Sequence, residues 1–258
     1  MLEIAVDAGV ARVTLSRPDV RNAFNAELIA QLHAAFETLG ADGHVRAIVL
    51  AGAGKTFCGG ADINWMRASL GLTYEANVAD AAAMSRMFRM IDRTPKAVVG
   101  RVQGAALGGG AGLTAVCDVV VAADDALFGF TETKLGILPA VISPFVLAKI
   151  GHSHARALAL TGERFDAKRA LAIGLVHELV PAAALDTAVA RITSEIASAS
   201  PSAVARTKAL FATVRERTYD ATLDLTATAI AEQRTSPEGQ DGLRAFLEKR
   251  SPGWKAGL

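Results

Sequence analysis

Leu2 to Asp7 and Val10 to Ser16 alternate apolar and polar residues on either side of Ala8-Gly9, a pattern that predicts a β-hairpin closed by a short turn. From Asn25, a residue suited to cap a helix, Leu28, Ile29, Leu32, Phe36 and Leu39 recur at helical spacing, and Gly40 offers a stop. Ala47 to Leu50, Ala97 to Val99 and Val119 to Val121 are short apolar runs bounded by Gly, Pro or charged residues, as buried strands are. Between them, Ala79 to Asp92 carries Met84, Met87, Phe88 and Ile91 on one face. Strands alternating with helices predict an α/β fold.

After Val176 to Val180 the pattern turns helical: Leu185 to Ala199, Ser202 to Val214 behind Pro201, then Tyr219 to Arg234. No repeat or long flexible linker interrupts it, so residues 201–258 are expected to pack on the core or on another subunit.

The chain has 258 residues, of which 51% are hydrophobic, enough for a core without staples. Its 27 Lys and Arg against 26 Asp and Glu leave a net charge of +1, so no global field recruits nucleic acid or an anionic membrane. Cys58 and Cys117 are the only cysteines, and no long apolar run follows Met1-Leu2-Glu3, so the cytoplasm is the expected compartment. Leu135 to Ala148 is the longest uncharged apolar stretch, but it is short for a bilayer and contains Pro139 and Pro144.

Several short motifs mislead. Gly52-Ala53-Gly54-Lys55-Thr56 resembles the end of a phosphate-binding loop, but the glycine required five residues before Gly54 is Val49. Gly110-Ala111-Gly112-Leu113-Thr114-Ala115 fits a dinucleotide fingerprint with Asp124 or Asp125 as the ribose acid. Gln103 to Gly109 separate it from its strand, however, and the acid comes too early. His152 and His154 read as solvated residues at a helix start, and no Cys or carboxylate stands beside them at metal-ligand spacing. The two cysteines sit among small apolar residues, as inert buried thiols do.

Two other segments carry more chemistry: Phe57-Cys58-Gly59-Gly60-Ala61-Asp62-Ile63 and Gln103-Gly104-Ala105-Ala106-Leu107-Gly108-Gly109-Gly110, each after an apolar strand. Taken singly, each reads as a tight strand-to-helix turn. Taken together, they offer main-chain N–H groups at two turns that can converge on one oxygen.

With Arg21-Asn22-Ala23-Phe24-Asn25, and with Phe128-Gly129-Phe130-Thr131-Glu132 followed by Leu135-Gly136-Ile137-Leu138-Pro139, these segments resemble the crotonase, or enoyl-CoA hydratase and isomerase, superfamily over nearly the whole chain. The resemblance implies a spiral of ββα units over residues 1–200 and a helical trimerisation region over 201–258. It also implies an acyl-CoA thioester substrate, no separate cofactor or metal, and a trimer or dimer of trimers. The main-chain N–H groups of Ala61 and Gly109 match the oxyanion hole, and Glu132 matches a catalytic glutamate. A carboxylate working near neutral pH needs its pKa raised by burial, for which Phe128, Phe130 and Ile137 are available.

The chain departs from that pattern at one place. Hydration in this family normally employs two glutamates, and the position of the first is Gly112. Three readings follow. The first is a hydratase in which Glu132 alone positions water and carries the proton. It is favoured by resemblance to the methylglutaconyl-CoA and isohexenylglutaconyl-CoA hydratases in Trp65-Met66, in Pro139 to Val146 and in Glu238-Gly239-Gln240 through Pro252. The second is a Δ3,Δ2-enoyl-CoA isomerase with Glu132 as its single proton shuttle. The third is a non-catalytic acyl-CoA-binding member, against which stands the cost of keeping an unpaired carboxylate among apolar residues. Glu132 could instead be a surface residue paired with Lys134, and Asp62 and Asp118 are expected to cap helices or tie turns.

For CoA, the resemblance points to Arg21, Ala23, Lys55 and Ala61, with Phe246 and Lys249 covering adenine and phosphate from the next subunit. The acyl pocket is expected from Trp65 to Leu72 and Val141 to Leu147, with Trp65, Met66, Val141 and Phe145 as its main walls.

Overall fold

The computed structural model describes residues 1–255. Strands β1 (Leu2–Asp7) and β2 (Val10–Leu15) form the expected hairpin, followed by α1 (Ala26–Ala41), β3 (Ala47–Gly52), α2 (Ile63–Ser69) and α3 (Tyr74–Arg93). Next come β4 (Ala97–Val102), β5 (Ala105–Leu107), α4 (Gly109–Val116), β6 (Val119–Ala123), β7 (Leu127–Gly129) and α5 (Ser143–Thr161). Strand β8 (Arg164–Asp166), α6 (Ala167–Ala172) and β9 (Glu178–Val180) precede the helices α7 (Leu185–Ser198), α8 (Pro201–Val214), α9 (Leu223–Thr235) and α10 (Pro237–Leu247).

The long strands make a six-stranded sheet in the order β1-β2-β3-β4-β6-β9, parallel except for the hairpin, and β5-β7-β8 make a second, smaller sheet. Strand β3 is buried along its whole length, which explains its unbroken apolar run. Each turn of the spiral sends one strand into the large sheet and the next into the small one: β4 then β5 then α4, and β6 then β7 then α5. After β3 the corresponding piece is a single parallel bridge from Cys58 to Ala106.

Register in the small sheet sets up the site. Cys58 lies beside Ala106, and Ala106 lies beside Phe128. Ala61 follows Cys58 and Gly109 follows Ala106 by the same three steps, while Thr131 and Glu132 follow Phe128. Parallel neighbours in register keep equivalent residues side by side, so these positions emerge at one end of the sheet.

Local differences from the expected elements have identifiable causes. Asn25 caps α1 by accepting from Leu28 N at 2.8 Å, but the helix passes through Gly40 to Ala41. A Cβ at Gly40 would lie 2.9 Å from Thr94 Oγ1, so this glycine serves the close approach to the end of α3. Helix α3 begins at Tyr74, ahead of Ala79, because Thr73 caps it through Ala76 N at 3.2 Å. His152 and His154 are exposed in the middle of α5, beside a kink at Gly151, where the sequence suggested a helix start. The helical segment after α7 is tied to the large sheet by Lys208, which pairs with Asp118 at 2.7 Å. Arg46 holds the carbonyls of Ala197, Ala199 and Trp254.

Candidate active site

A cleft of about 380 Å³ opens at the end of the small sheet, with Gly59, Gly60, Ala61, Gly108, Gly109, Thr131 and Glu132 as its floor. One wall is Trp65, Met66 and Ser69 of α2 with Asn77, Asp80, Ala81 and Met84 of α3, and the other is Leu135 and residues 137–142.

The two glycine-rich loops lock together through main-chain bonds, Cys58 N to Ala105 O at 3.0 Å and Leu107 N to Cys58 O at 3.1 Å. Where they cross, a Cβ on Gly110 would lie 2.3 Å from Cys58 O, so only glycine permits this approach. Gly109 begins α4, and the first N–H groups of a helix have no partner within it. Neither Gly109 N nor Ala61 N donates a hydrogen bond to any of the described residues, although the adjacent Gly108 N and Asp62 N both do. Two half-buried donors thus stand free on the cleft floor. The dipole of α4 adds to the attraction they offer an anionic oxygen.

Glu132 stands against the same loop, with its Oε1 3.4 Å from the place a Cβ on Gly108 would occupy. Its Oε2 is buried with no hydrogen-bond partner among the described residues, and no ion pair joins it to Lys134. Burial raises its pKa above the ordinary glutamate value, offset only in part by its own backbone N–H. Phe128 and Phe130 are fully buried behind it, whereas Ile137 is 53% exposed on the cleft wall and contributes less to that burial than the sequence suggested.

The other candidate groups have structural occupations. Asp62 caps α2 through Asn64 N at 2.8 Å and pairs with Arg17 at 2.7 Å, which holds its pKa low. Asp118 accepts from Val98 N and from Lys208. Cys58 and Cys117 are buried, and burial pushes both thiols up to about 12, so neither supplies a thiolate nucleophile.

Of the expected acyl-pocket residues, Trp65, Met66 and Val141 line the cleft. Phe145 does not: its ring packs on Phe88 at 5.8 Å between centroids, which places it in the layer behind the wall. Arg21, Ala23 and Lys55 gather around the first loop. Arg21 O accepts from Gly59 N at 2.8 Å, Ala23 is buried with its carbonyl held by Arg17, and Lys55 presents an exposed side chain. Phe246, 83% exposed near the end of α10, and Lys249, just beyond that helix, do not line this cleft.

Asn22, fully buried, had no recognised role in the sequence. It accepts from Arg17 N at 2.8 Å and donates to Ala53 O and Thr56 O at 2.9 and 2.7 Å, so one side chain ties three loop segments under Ala61. Ala53 and Thr56 lie 31 and 34 residues along the chain, and no local spacing signals them.

Gly112 has a clear physical explanation. A Cβ there would fall 2.3 Å from Ile142 Cγ2 and 3.1 Å from the Phe88 ring, so the space of a second glutamate is filled by α5 and α3 packing. Gly112→Ala is expected to cost about 1–3 kcal/mol through overpacking. Ile142→Ala alone is also destabilising, but the double variant should lose less than the sum of the two single changes in chemical denaturation, and strict additivity would count against this packing.

A family model described as enoyl-CoA hydratase/isomerase matches residues 5–257. The chain belongs to that family. Its α/β architecture, with the helical C-terminal region, is the crotonase fold. An enoyl-CoA hydratase of Shewanella pealeana superposes with a TM-score of 0.95 at 39% identity, covering 98% of this chain and 95% of that one. Pseudomonas aeruginosa AtuE superposes with a TM-score of 0.94 at 41% identity over 98% of both chains. The enoyl-CoA hydratase AKT6-1 of Alternaria alternata is 34% identical over 255 residues, 96% of this chain and 82% of that protein. An acyl-CoA thioester is the substrate class consistent with this family.

Proposed function

We propose that the protein adds water across the C2=C3 bond of an enoyl-CoA, with Ala61 and Gly109 N–H holding the thioester oxygen and Glu132 as the only proton carrier. The observation that carries this reading is the convergence of two unpaired N–H groups and the unpaired Glu132 carboxylate on the floor of one cleft. Relatives described as enoyl-CoA hydratases support it.

The ionised Glu132 accepts a proton from water while the water oxygen bonds to C3. The C2=C3 electrons move onto the thioester oxygen, where the two donors stabilise the enolate. The enolate then collapses and takes at C2 the proton that Glu132 received, which returns the carboxylate and leaves a 3-hydroxyacyl-CoA. No cofactor is needed beyond the CoA that the substrate carries.

One observation favours a second reading. With the space at Gly112 filled, a single carboxylate serves the cleft floor, and a 1,3-proton shift needs only one. Glu132 would then take a proton from C2 of a Δ3-enoyl-CoA and return it at C4.

The branched glutaconyl-type acyl group suggested by resemblance is less well supported, since among the described residues no Lys, Arg or His lines the cleft to meet a second carboxylate. We assign CoA to the Arg21, Ala23 and Lys55 side of the floor, with Phe246 and Lys249 reaching it from a neighbouring subunit of a trimer or dimer of trimers. Exposed apolar residues on 201–258, including Phe211, Ile230, Phe246 and Leu247, support such an assembly. Such a protein would act in the cytoplasm. Among the described residues no helix is long and apolar enough to cross a membrane.

The deciding experiment incubates the protein with crotonyl-CoA, 3-methylglutaconyl-CoA and 3-hexenoyl-CoA separately and reads product mass. Gain of one water on crotonyl-CoA is the expected result. A mass-neutral shift on 3-hexenoyl-CoA alone would replace the hydratase with the isomerase, and bound but unchanged thioesters throughout would replace it with the non-catalytic reading.

A further inference from the structure

Opposite the apolar residues 137–142, the α3 wall of the cleft carries a carboxylate that the proposed chemistry does not use. Asp80 is half-buried, lines the cleft, and makes no hydrogen bond or ion pair with any of the described residues. The polar groups beside it are turned the same way. Asn77 spends its amide nitrogen on Leu72 O and Thr73 O at 3.3 and 3.0 Å, which leaves its side-chain oxygen open. Ser69 donates its hydroxyl to Met66 O at 2.8 Å and keeps only lone pairs. Ser69, Asn77 and Asp80 therefore offer acceptors and no free donor of their own, the Trp65 indole on α2 being the donor of the same wall.

Its distance from the chemistry follows from helix geometry. The tip of Met84 lies 3.0 Å from the place a Cβ on Gly109 would occupy, so Met84 touches the reaction centre. Asp80 is four residues earlier on the same face of α3, about 6 Å along the axis. An acyl chain leaving the reaction centre along α3 brings its far end to Asp80 a few carbons beyond C3.

A half-buried carboxylate without protein partners relies on water for its hydrogen bonds. An acyl chain displaces that water, and the carboxylate then needs a donor from the ligand, because an ionised group stripped of partners is costly. A plain alkyl end supplies none, and a carboxylate end adds like-charge repulsion. We propose that Asp80, with Asn77, makes this cleft specific for acyl-CoA thioesters whose far end carries a neutral hydrogen-bond donor, a hydroxyl being the simplest. The inference rests on the acyl-CoA reading of the same cleft and names the class of acyl group within it.

The test has a binding arm independent of turnover. Calorimetry on the full chain with octanoyl-CoA, ω-hydroxyoctanoyl-CoA and ω-carboxyoctanoyl-CoA should rank hydroxyl over methyl by about tenfold or more, as hydrogen bonds to a charged acceptor do, with the carboxylate weakest. The corresponding 2-enoyl thioesters should follow the same order in kcat/KM. Asp80→Asn should shrink the hydroxyl-to-methyl ratio and raise the carboxylate relative to methyl, while Asp80→Leu should reverse the order of hydroxyl and methyl. If the three ligands bind alike, or if Asp80→Asn leaves their ratios unchanged, the assignment of Asp80 is overturned even if crotonyl-CoA is turned over. If the ranking holds in binding while no enoyl thioester reacts, the hydratase reading fails and the acyl specificity stands.

Discussion

Glu132→Gln is expected to lower kcat on the best enoyl-CoA by about 100- to 10,000-fold, the range typical of a lost general acid or base. The thermal midpoint of the variant at neutral pH should equal or exceed that of the parent. Both outcomes have one cause. Burial raises the folded pKa of Glu132, and Oε2 lacks a partner, so the ionised group is a cost that the native state carries. The folded protein holds the proton more tightly than the unfolded chain, so this group's contribution to stability falls as pH rises from the unfolded pKa through the folded one. Glutamine keeps the shape, loses the charge and removes that slope. The acid limb of kcat/KM should lie above the ordinary glutamate value of about 4.3, because the base must be ionised to take a proton from water. Near-parental turnover by Glu132→Gln would remove Glu132 from the chemistry. A large loss of stability with the loss of rate would make it a structural residue.

Gly110→Ala is expected to lower kcat by about 100- to 1000-fold, the effect of losing one oxyanion donor, although residue 110 supplies neither donor. The new methyl would stand 2.3 Å from Cys58 O and 2.9 Å from Cys58 Cβ. Cys58 cannot withdraw easily, because its N–H and C=O are both engaged with the β5 strand. The loops must part, and with them Ala61 N and Gly109 N. A stability cost of about 1–3 kcal/mol should accompany the change, so kcat is to be measured where circular dichroism shows the variant folded. An unaltered kcat in folded Gly110→Ala would mean that the spacing of the two donors is not what the loop crossing sets.

Much of this was legible in the chain. The apolar runs at 47–50, 97–99 and 119–121 marked three neighbouring strands, because strands buried on both faces leave no polar position to confuse the pattern. The short strands β5, β7 and β8 carry no such mark, since three residues are too few to show a period. Capping chemistry located the start of α1 at Asn25, while Gly40, read as a stop, proved to be a packing residue. The glycine-rich segments and Glu132 were recognisable by resemblance. The segment Val141 to Leu147 reads as one pocket wall, and the stacking of Phe145 on Phe88, which no local pattern marks, takes it out of that wall.

By itself the sequence determined the α/β class, the order of the hairpin, α1, β3, α3, β4 and β6, the two loops able to bring bare N–H groups together, and the glycine at position 112. These are properties of local pattern and residue type, which survive without coordinates. The tertiary structure alone decided that Ala61, Gly109 and Glu132 share one cleft, since that depends on the register of β5 and β7 with the Cys58 bridge. It also decided that Ile142 fills the space at Gly112, that Asn22 and the Arg17–Asp62 pair brace the first loop, and that Asp80 lines the cleft without a partner among the described residues. Each of those contacts joins residues far apart in the chain, and packing distances of that kind leave no period or motif to read.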